Sequence, residues 1–177
     1  SKGREYVFVE SDFDGEPLRP YNVRPAALLF NYRSVTYTFV PDAAAGVARV
    51  TADPALAGTL IDTTVALGTG PCNDWRGALK ARFEPGTTRF AGQYAAACGE
   101  LSWPVADPVP ATYEARLLEA LWRDMGGLLH GSVHEGLAPP DQKPSFELRS
   151  PALAEVVRDI NKYSNNLMAQ QLFLTLA

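Results

Sequence analysis

Ser164, Asn165 and Asn166 interrupt an otherwise apolar helical stripe near the end of the chain. A serine hydroxyl donates and accepts hydrogen bonds, and a primary amide carries a donor and an acceptor on one group. Held side by side, Ser164 and Asn166 could relay a proton and grip a peptide backbone. The same residue types also cap helices, because their side chains bond free backbone groups at helix ends. Spacing alone leaves both uses open. Lys162, two residues before Ser164, reads as a solvated helix lysine.

Other residues able to do chemistry point elsewhere. His130 and His134 stand four apart and Glu135 follows, but the order is H-x-x-x-H-E, not the H-E-x-x-H of a zinc peptidase. Gly131 and Gly136 also oppose a helix there, so a surface loop is expected. Asp12, Asp14, Gly15 and Glu16 belong to a turn-rich loop with too few regularly spaced ligands for calcium. Trp75, Trp103 and Trp122 could stack on sugars, although single tryptophans more often serve cores or interfaces. Cys72 and Cys98 lack CxxC spacing, which disfavours zinc and thioredoxin-like chemistry. They fit either one bridge or two separate buried thiols. A bridge would close a loop of about 25 residues, worth roughly 3 kcal/mol in the chain-entropy view.

The elements that must position these groups differ along the chain. The first two-thirds reads mostly as β. Tyr6 to Val9 is a short strand, Asp12 to Pro25 a loop, and Ala27 to Tyr32 is strand-like. In Val35 to Val40 the residues Val35, Tyr37 and Phe39 share one face and Thr36 and Thr38 the other. Val47 to Thr51 and Leu60 to Leu67 continue the pattern. Leu79, Ala81 and Phe83 alternate with Lys80 and Arg82, Pro85-Gly86 turns the chain, and Arg89 to Tyr94 returns: the best hairpin signal in the sequence. The prolines from Pro104 to Pro110 read as a linker or crossing loop. Thr112 can cap a helix from Tyr113 to Met125 with Leu117, Leu118, Leu121, Trp122 and Met125 as its apolar stripe. Leu128 to Glu135 reads as a strand and Gly136 to Ser145 as a Pro-rich loop. Ser150 with Pro151 opens a helix bearing Leu153, Val156, Val157 and Ile160 on one face. Leu167 to Leu176 is a second helix.

The 177 residues carry 16 Lys and Arg against 20 Asp and Glu, a net charge of −4. That balance argues against nucleic acid as a partner, since phosphate binding needs a basic face. No apolar run approaches the roughly 18 residues of a membrane span. The opening residues SKGREYVFVE are too polar for a signal peptide.

Residues 150 to 177, SPALAEVVRDINKYSNNLMAQQLFLTLA, resemble the region around the second active-site motif of the class C low-molecular-mass penicillin-binding proteins. These are the serine D-alanyl-D-alanine carboxypeptidase/endopeptidase family. The motif is Ser-x-Asn, here Ser164-Asn165-Asn166, set in a short link between two helices; penicillin-binding proteins combine it with S-x-x-K and K-T-G. Weaker similarity runs through FDGEPLRPYNVRPAALLFNYRSV, GPCNDWR, YAAACGELSW and LEALWRDMGG. No serine of this chain has Lys three residues later, and no K-T-G occurs.

The resemblance implies an α+β chain. Residues 1–148 would be a β-rich inserted, non-catalytic region with a possible subdomain break near Pro104. Residues 149–177 would be two helices of a penicillin-binding, serine β-lactamase-like catalytic domain. It implies acyl transfer on peptidoglycan stem peptides, with Ser164 relaying a proton and Asn166 holding the substrate amide. Asn165, at the variable middle position, would be structural, and Lys162 would not be the base, which lies on the S-x-x-K motif. A Cys72–Cys98 disulfide, a periplasmic location, no cofactor and β-lactam binding by the full-length enzyme follow from the same resemblance. The chain alone is expected to be an internal, inactive piece of that enzyme. The alternative is a non-catalytic cell-wall binding or scaffolding module.

Overall fold

The computed structural model describes residues 14–26, 28–134, 136–137 and 139–176. The expected strand at Tyr6 to Val9 lies outside them, as do Asp12, Ala27 and Glu135.

Eight strands and four α-helices follow one another along the described chain. They are β1 (Ser34–Asp42), β2 (Val47–Asp53), β3 (Leu60–Ile61), β4 (Thr64–Gly68), α1 (Trp75–Ala78), β5 (Ala81–Glu84), β6 (Thr87–Phe90), β7 (Gln93–Ala95), β8 (Leu101–Ala106), α2 (Tyr113–Asp124), α3 (Leu153–Tyr163) and α4 (Asn166–Leu176). The mixed content is that of an α+β chain. A five-stranded sheet has the order β7-β4-β2-β1-β8, and a three-stranded sheet the order β3-β6-β5.

The alternation in β1 sets the core. Val35, Tyr37 and Phe39 are buried, while Thr38 points outward and meets Ser102 of β8 across the strand pair at 2.9 Å. Phe39 stacks on Tyr94 and meets Phe90 and Trp75 edge to face, with ring centroids 5.1–5.8 Å apart. Such pairs add about 0.5–1.5 kcal/mol each beyond area burial. The hydroxyls of Tyr37 and Thr88 meet at 2.9 Å and tie the two sheets together.

The expected hairpin is present as β5 and β6, with Phe83 opposite Thr88 and Gly86 at φ 71° in the turn. Its return strand stops at Phe90 instead of running to Tyr94. The backbone then passes Gly92, where a Cβ would stand 1.9 Å from the Ala78 carbonyl, and Gln93 to Ala95 joins the other sheet beside β4. Only glycine permits that close approach. Cys72 and Cys98 form a disulfide that links the turn before α1 to the turn after β7.

Several expectations need correction. Among residues 28–33 there is no strand: Asn31–Arg33 is a tight 3-10 turn, and β1 already has β2 and β8 as its two neighbours. Leu60 to Leu67 is broken at Asp62 and Thr63 into β3 and β4, one for each sheet. Pro104 is no linker residue; it lies inside β8, opposite Thr36. As β8 is an edge strand, the missing N–H need not cost a ladder bond. The described part of Leu128 to Glu135, residues 128–134, is loop and joins neither sheet. In α2, Leu117 and Tyr113 enter the core, but Leu118, Leu121, Trp122 and Met125 remain exposed. Thr112 precedes α2 without a side-chain cap to the helix backbone and instead accepts from Arg116. Ser150 and Pro151 do not begin α3, whose N-cap is Ala152. A serine cap contributes only about 1 kcal/mol, and residues 150–152 are exposed, so packing adds nothing to hold an extra turn.

Candidate active site

The two C-terminal helices meet where the sequence places Ser164, Asn165 and Asn166. Helix α3 has an amphipathic repeat of Leu153, Val156, Val157 and Ile160, of which Ile160 is buried. It stops at Ser164, which takes the left-handed conformation (φ 50°, ψ 46°) and sends its N–H back to the Ile160 carbonyl. The Asn165 N–H reaches the same carbonyl at 3.1 Å. Left-handed backbone costs a non-glycine residue about 1 kcal/mol or more, so the turn needs support from its surroundings.

Asn165 supplies that support. Its Oδ1 accepts from the Met168 N–H at 3.0 Å and caps the first turn of α4. Its Nδ2 donates to the Tyr32 hydroxyl at 3.0 Å. The middle residue of the triplet is therefore structural, as expected. Helix α4 is seated by Leu167, which packs with Val23, Ala106 and Leu29. Gln171 adds a second anchor, its Oε1 accepting from the Ala26 N–H at 3.1 Å.

Ser164 is exposed and Asn166 half-buried. Neither side chain makes a hydrogen bond to another described residue, so the hydroxyl and the amide are available to a ligand. Lys162 is exposed, with Nζ 5.1 Å from the Tyr163 ring, in keeping with a solvated helix lysine.

Beside the junction lies an open groove of about 800 Å³. Asn165 and Tyr32 stand at one part of its wall; Ser34, Thr36, Trp103 and Val105 of the sheet and the Glu16–Tyr21 loop form the rest, with Arg76 and Phe83. The loop is organised by Asp14, whose carboxylate accepts from the Tyr21 hydroxyl at 2.6 Å, Asn22 Nδ2 at 2.7 Å and the Glu16 N–H at 2.9 Å. The Tyr21 hydroxyl, above all, holds the Asp14 carboxyl below the usual carboxylate range. Arg19 bonds the same hydroxyl at 2.7 Å. The groove thus presents both charge signs, hydroxyls and aromatic edges.

Of the remaining candidates, Trp103 and Glu16 line the groove, while Trp75, Trp122 and the two histidines do not. His130 and His134 are exposed in the loop after α2, and no cluster able to hold a metal exists among the described residues. Trp75 and Trp103 pack against each other and the core rings, with Arg76 over both indoles. Trp122 is half-exposed and donates to the Leu128 carbonyl. Sequence reasoning missed Tyr32, because nothing in Asn-Tyr-Arg announces a turn that sends a hydroxyl to a residue 133 positions away.

No helix among the described residues is long and apolar enough to cross a membrane. No curated protein and no solved structure matches the chain. The sequence model of the D-Ala-D-Ala carboxypeptidase 3 (S13) family matches residues 11–177. With nearly its whole length covered, the chain belongs to the D-Ala-D-Ala carboxypeptidase 3 (S13) family.

Proposed function

We propose that this chain forms one wall of the cleft of a serine-type D-Ala-D-Ala carboxypeptidase/endopeptidase, a class C low-molecular-mass penicillin-binding protein. Its substrates are peptidoglycan stem peptides in the periplasm. The observation that carries this reading is the helix junction itself. Within a chain of the carboxypeptidase family, Ser164 and Asn166 make no side-chain hydrogen bond to another described residue at the α3–α4 turn, while Asn165 between them caps α4 and is the member of the triplet that lines the open groove.

The chemistry is acyl transfer. A serine Oγ attacks the carbonyl before the terminal D-Ala as a lysine takes its proton. The C–N bond breaks and D-Ala leaves as its amine, which needs a proton. The Ser164 hydroxyl relays that proton. The Asn166 amide donates to and accepts from the substrate backbone. Water then hydrolyses the ester and frees the serine. The attacking serine and its lysine belong to S-x-x-K, and K-T-G completes the site. Neither occurs in these 177 residues; this reading assigns both to the parent enzyme. In this reading residues 1–148 are the non-catalytic β-rich region and residues 149–177 the catalytic-domain piece. The Cys72–Cys98 disulfide suits an oxidising compartment.

The test is covalent labelling by a fluorescent penicillin, read on a denaturing gel. The longer protein that carries this segment with S-x-x-K should be labelled, and the 177-residue chain alone should not. Labelling of the chain alone would put the nucleophile inside it. An unlabelled longer protein would favour a cell-wall binding module.

A further inference from the structure

Asn31, Tyr32 and Arg33 are three successive non-glycine residues with positive φ, at 45°, 53° and 46°. Such a run is disfavoured at every step and persists only where the surroundings over-determine it. Here they do. The Asn31 Nδ2 donates to the Ser34 carbonyl at 2.9 Å, and the Ser34 hydroxyl returns a bond to the Asn31 carbonyl at 2.7 Å. The Arg33 carbonyl accepts from the Asp107 N–H at 2.8 Å. Arg33 Nε meets Glu114 Oε1 at 2.7 Å with both side chains nearly buried. The Tyr113 hydroxyl donates to the Ser34 carbonyl at 2.8 Å. The turn is held from β1, from the end of β8 and from the start of α2.

What this turn delivers is one side chain. The Tyr32 hydroxyl accepts from Asn165 Nδ2 at 3.0 Å and stands 3.6 Å from Met168 Sδ. Ser164, the residue before Asn165, is itself left-handed. Two segments of unfavourable backbone therefore meet at the Tyr32 hydroxyl, which accepts from Asn165 and donates to Met168, between the β-rich region and the helix junction. The Asn165–Tyr32 bond is not needed to cap α4, because Asn165 Oδ1 does that separately.

We infer that Tyr32 is a positioning residue for the helix-junction triplet, its hydroxyl fixing the Asn165 side chain and thereby the placement of Ser164 and Asn166. The inference rests on the peptidase reading above. Through it the inserted region contributes to turnover without touching the reacting atoms.

The experiment is steady-state hydrolysis of an acyl-D-Ala-D-Ala peptide by the longer protein that carries this segment. Wild type is compared with Tyr32→Phe, Asn165→Ser and the double variant. Asn165→Ser retains an oxygen able to cap α4 but cannot span the distance to Tyr32. Each single variant should lower kcat by about tenfold, since small misplacements of reacting groups are costly, with KM changed less than about twofold and the thermal midpoint unchanged. The double variant should match the singles, because both remove the same bond. Wild-type kcat in Tyr32→Phe, or additive losses in the double variant, would overturn the inference. So would a loss of activity that follows a fall in thermal midpoint, which would mark Tyr32 as a packing residue. Wild-type protein that neither hydrolyses the peptide nor takes the penicillin label would sink the peptidase reading itself.

Discussion

Arg33 Nε lies 2.7 Å from Glu114 Oε1, an ion pair that joins the turn before β1 to the first turn of α2 across 81 residues of chain. The two side chains are 12% and 10% exposed. Removing one partner leaves the other as an uncompensated, nearly dry charge. Breaking such a pair costs about 3–5 kcal/mol. Glu114→Ala should therefore lower the urea midpoint strongly. Replacing both residues with apolar ones of similar volume should cost much less. Equal losses in the single and double variants would mean that the pair is not desolvated in solution.

Cys72 and Cys98 are 26 residues apart and bonded. Chain entropy assigns a closed loop of that length roughly 3 kcal/mol. Reduction, or Cys72→Ser with Cys98→Ser, should destabilise the fold by about that amount in denaturant titrations. The disulfide holds the turn leading to α1, where Asp74 caps and Trp75 enters the core rings. Trp fluorescence should report the loss. An unchanged unfolding midpoint after complete reduction would contradict the assignment.

Tyr113 is fully buried, and burial pushes its hydroxyl up to about 12. The unfolded chain releases this proton near pH 10 and the folded chain only near 12. The folded state thus holds the proton more tightly, and stability falls as pH rises through that window. Burial also raises Tyr37 and Tyr94. Stability should be flat with respect to these groups at neutral pH and decline as pH rises above about 10, for Tyr113 up to about 12. For Tyr113 the two units correspond to about 3 kcal/mol. Tyr113→Phe should make the alkaline decline shallower while costing about 1 kcal/mol at pH 7 for the lost bond to the Ser34 carbonyl. An alkaline limb identical to wild type would refute the burial argument.

Local chemistry made part of this molecule legible in its residues. The alternation Val35, Tyr37, Phe39 declared which face of β1 is buried, and Pro85-Gly86 between alternating runs declared the β5–β6 turn. The Leu153 to Ile160 repeat declared α3, though not its first residue, because Ser150-Pro151 is a local signal that no tertiary contact reinforces. What stayed hidden depends on distant partners. Leu28 to Tyr32 has strand-like side chains, yet β1, the strand that follows, is already flanked by β2 and β8, and these residues join neither sheet. Leu118 and Leu121 lie in the repeat of α2 but remain exposed, because the core below accepts only Tyr113 and Leu117. At the site, the triplet Ser164-Asn165-Asn166 was visible as a break in a greasy pattern. The Asn165–Tyr32 bond was not, since its reach of 133 positions is set by how α4 docks on Val23 and Ala106.

The central claim is that Ser164 acts on the leaving amine rather than merely ending a helix. The rate of covalent acylation by a fluorescent penicillin measures it most directly, in the longer protein, with Ser164→Ala against wild type. A side chain that only ends α3 is expendable, since the turn is made by the backbone N–H groups of Ser164 and Asn165. Loss of a positioned proton donor slows such steps by roughly 10²–10⁴-fold. The account predicts a fall of that size with an unchanged thermal midpoint. An acylation rate equal to wild type would contradict it.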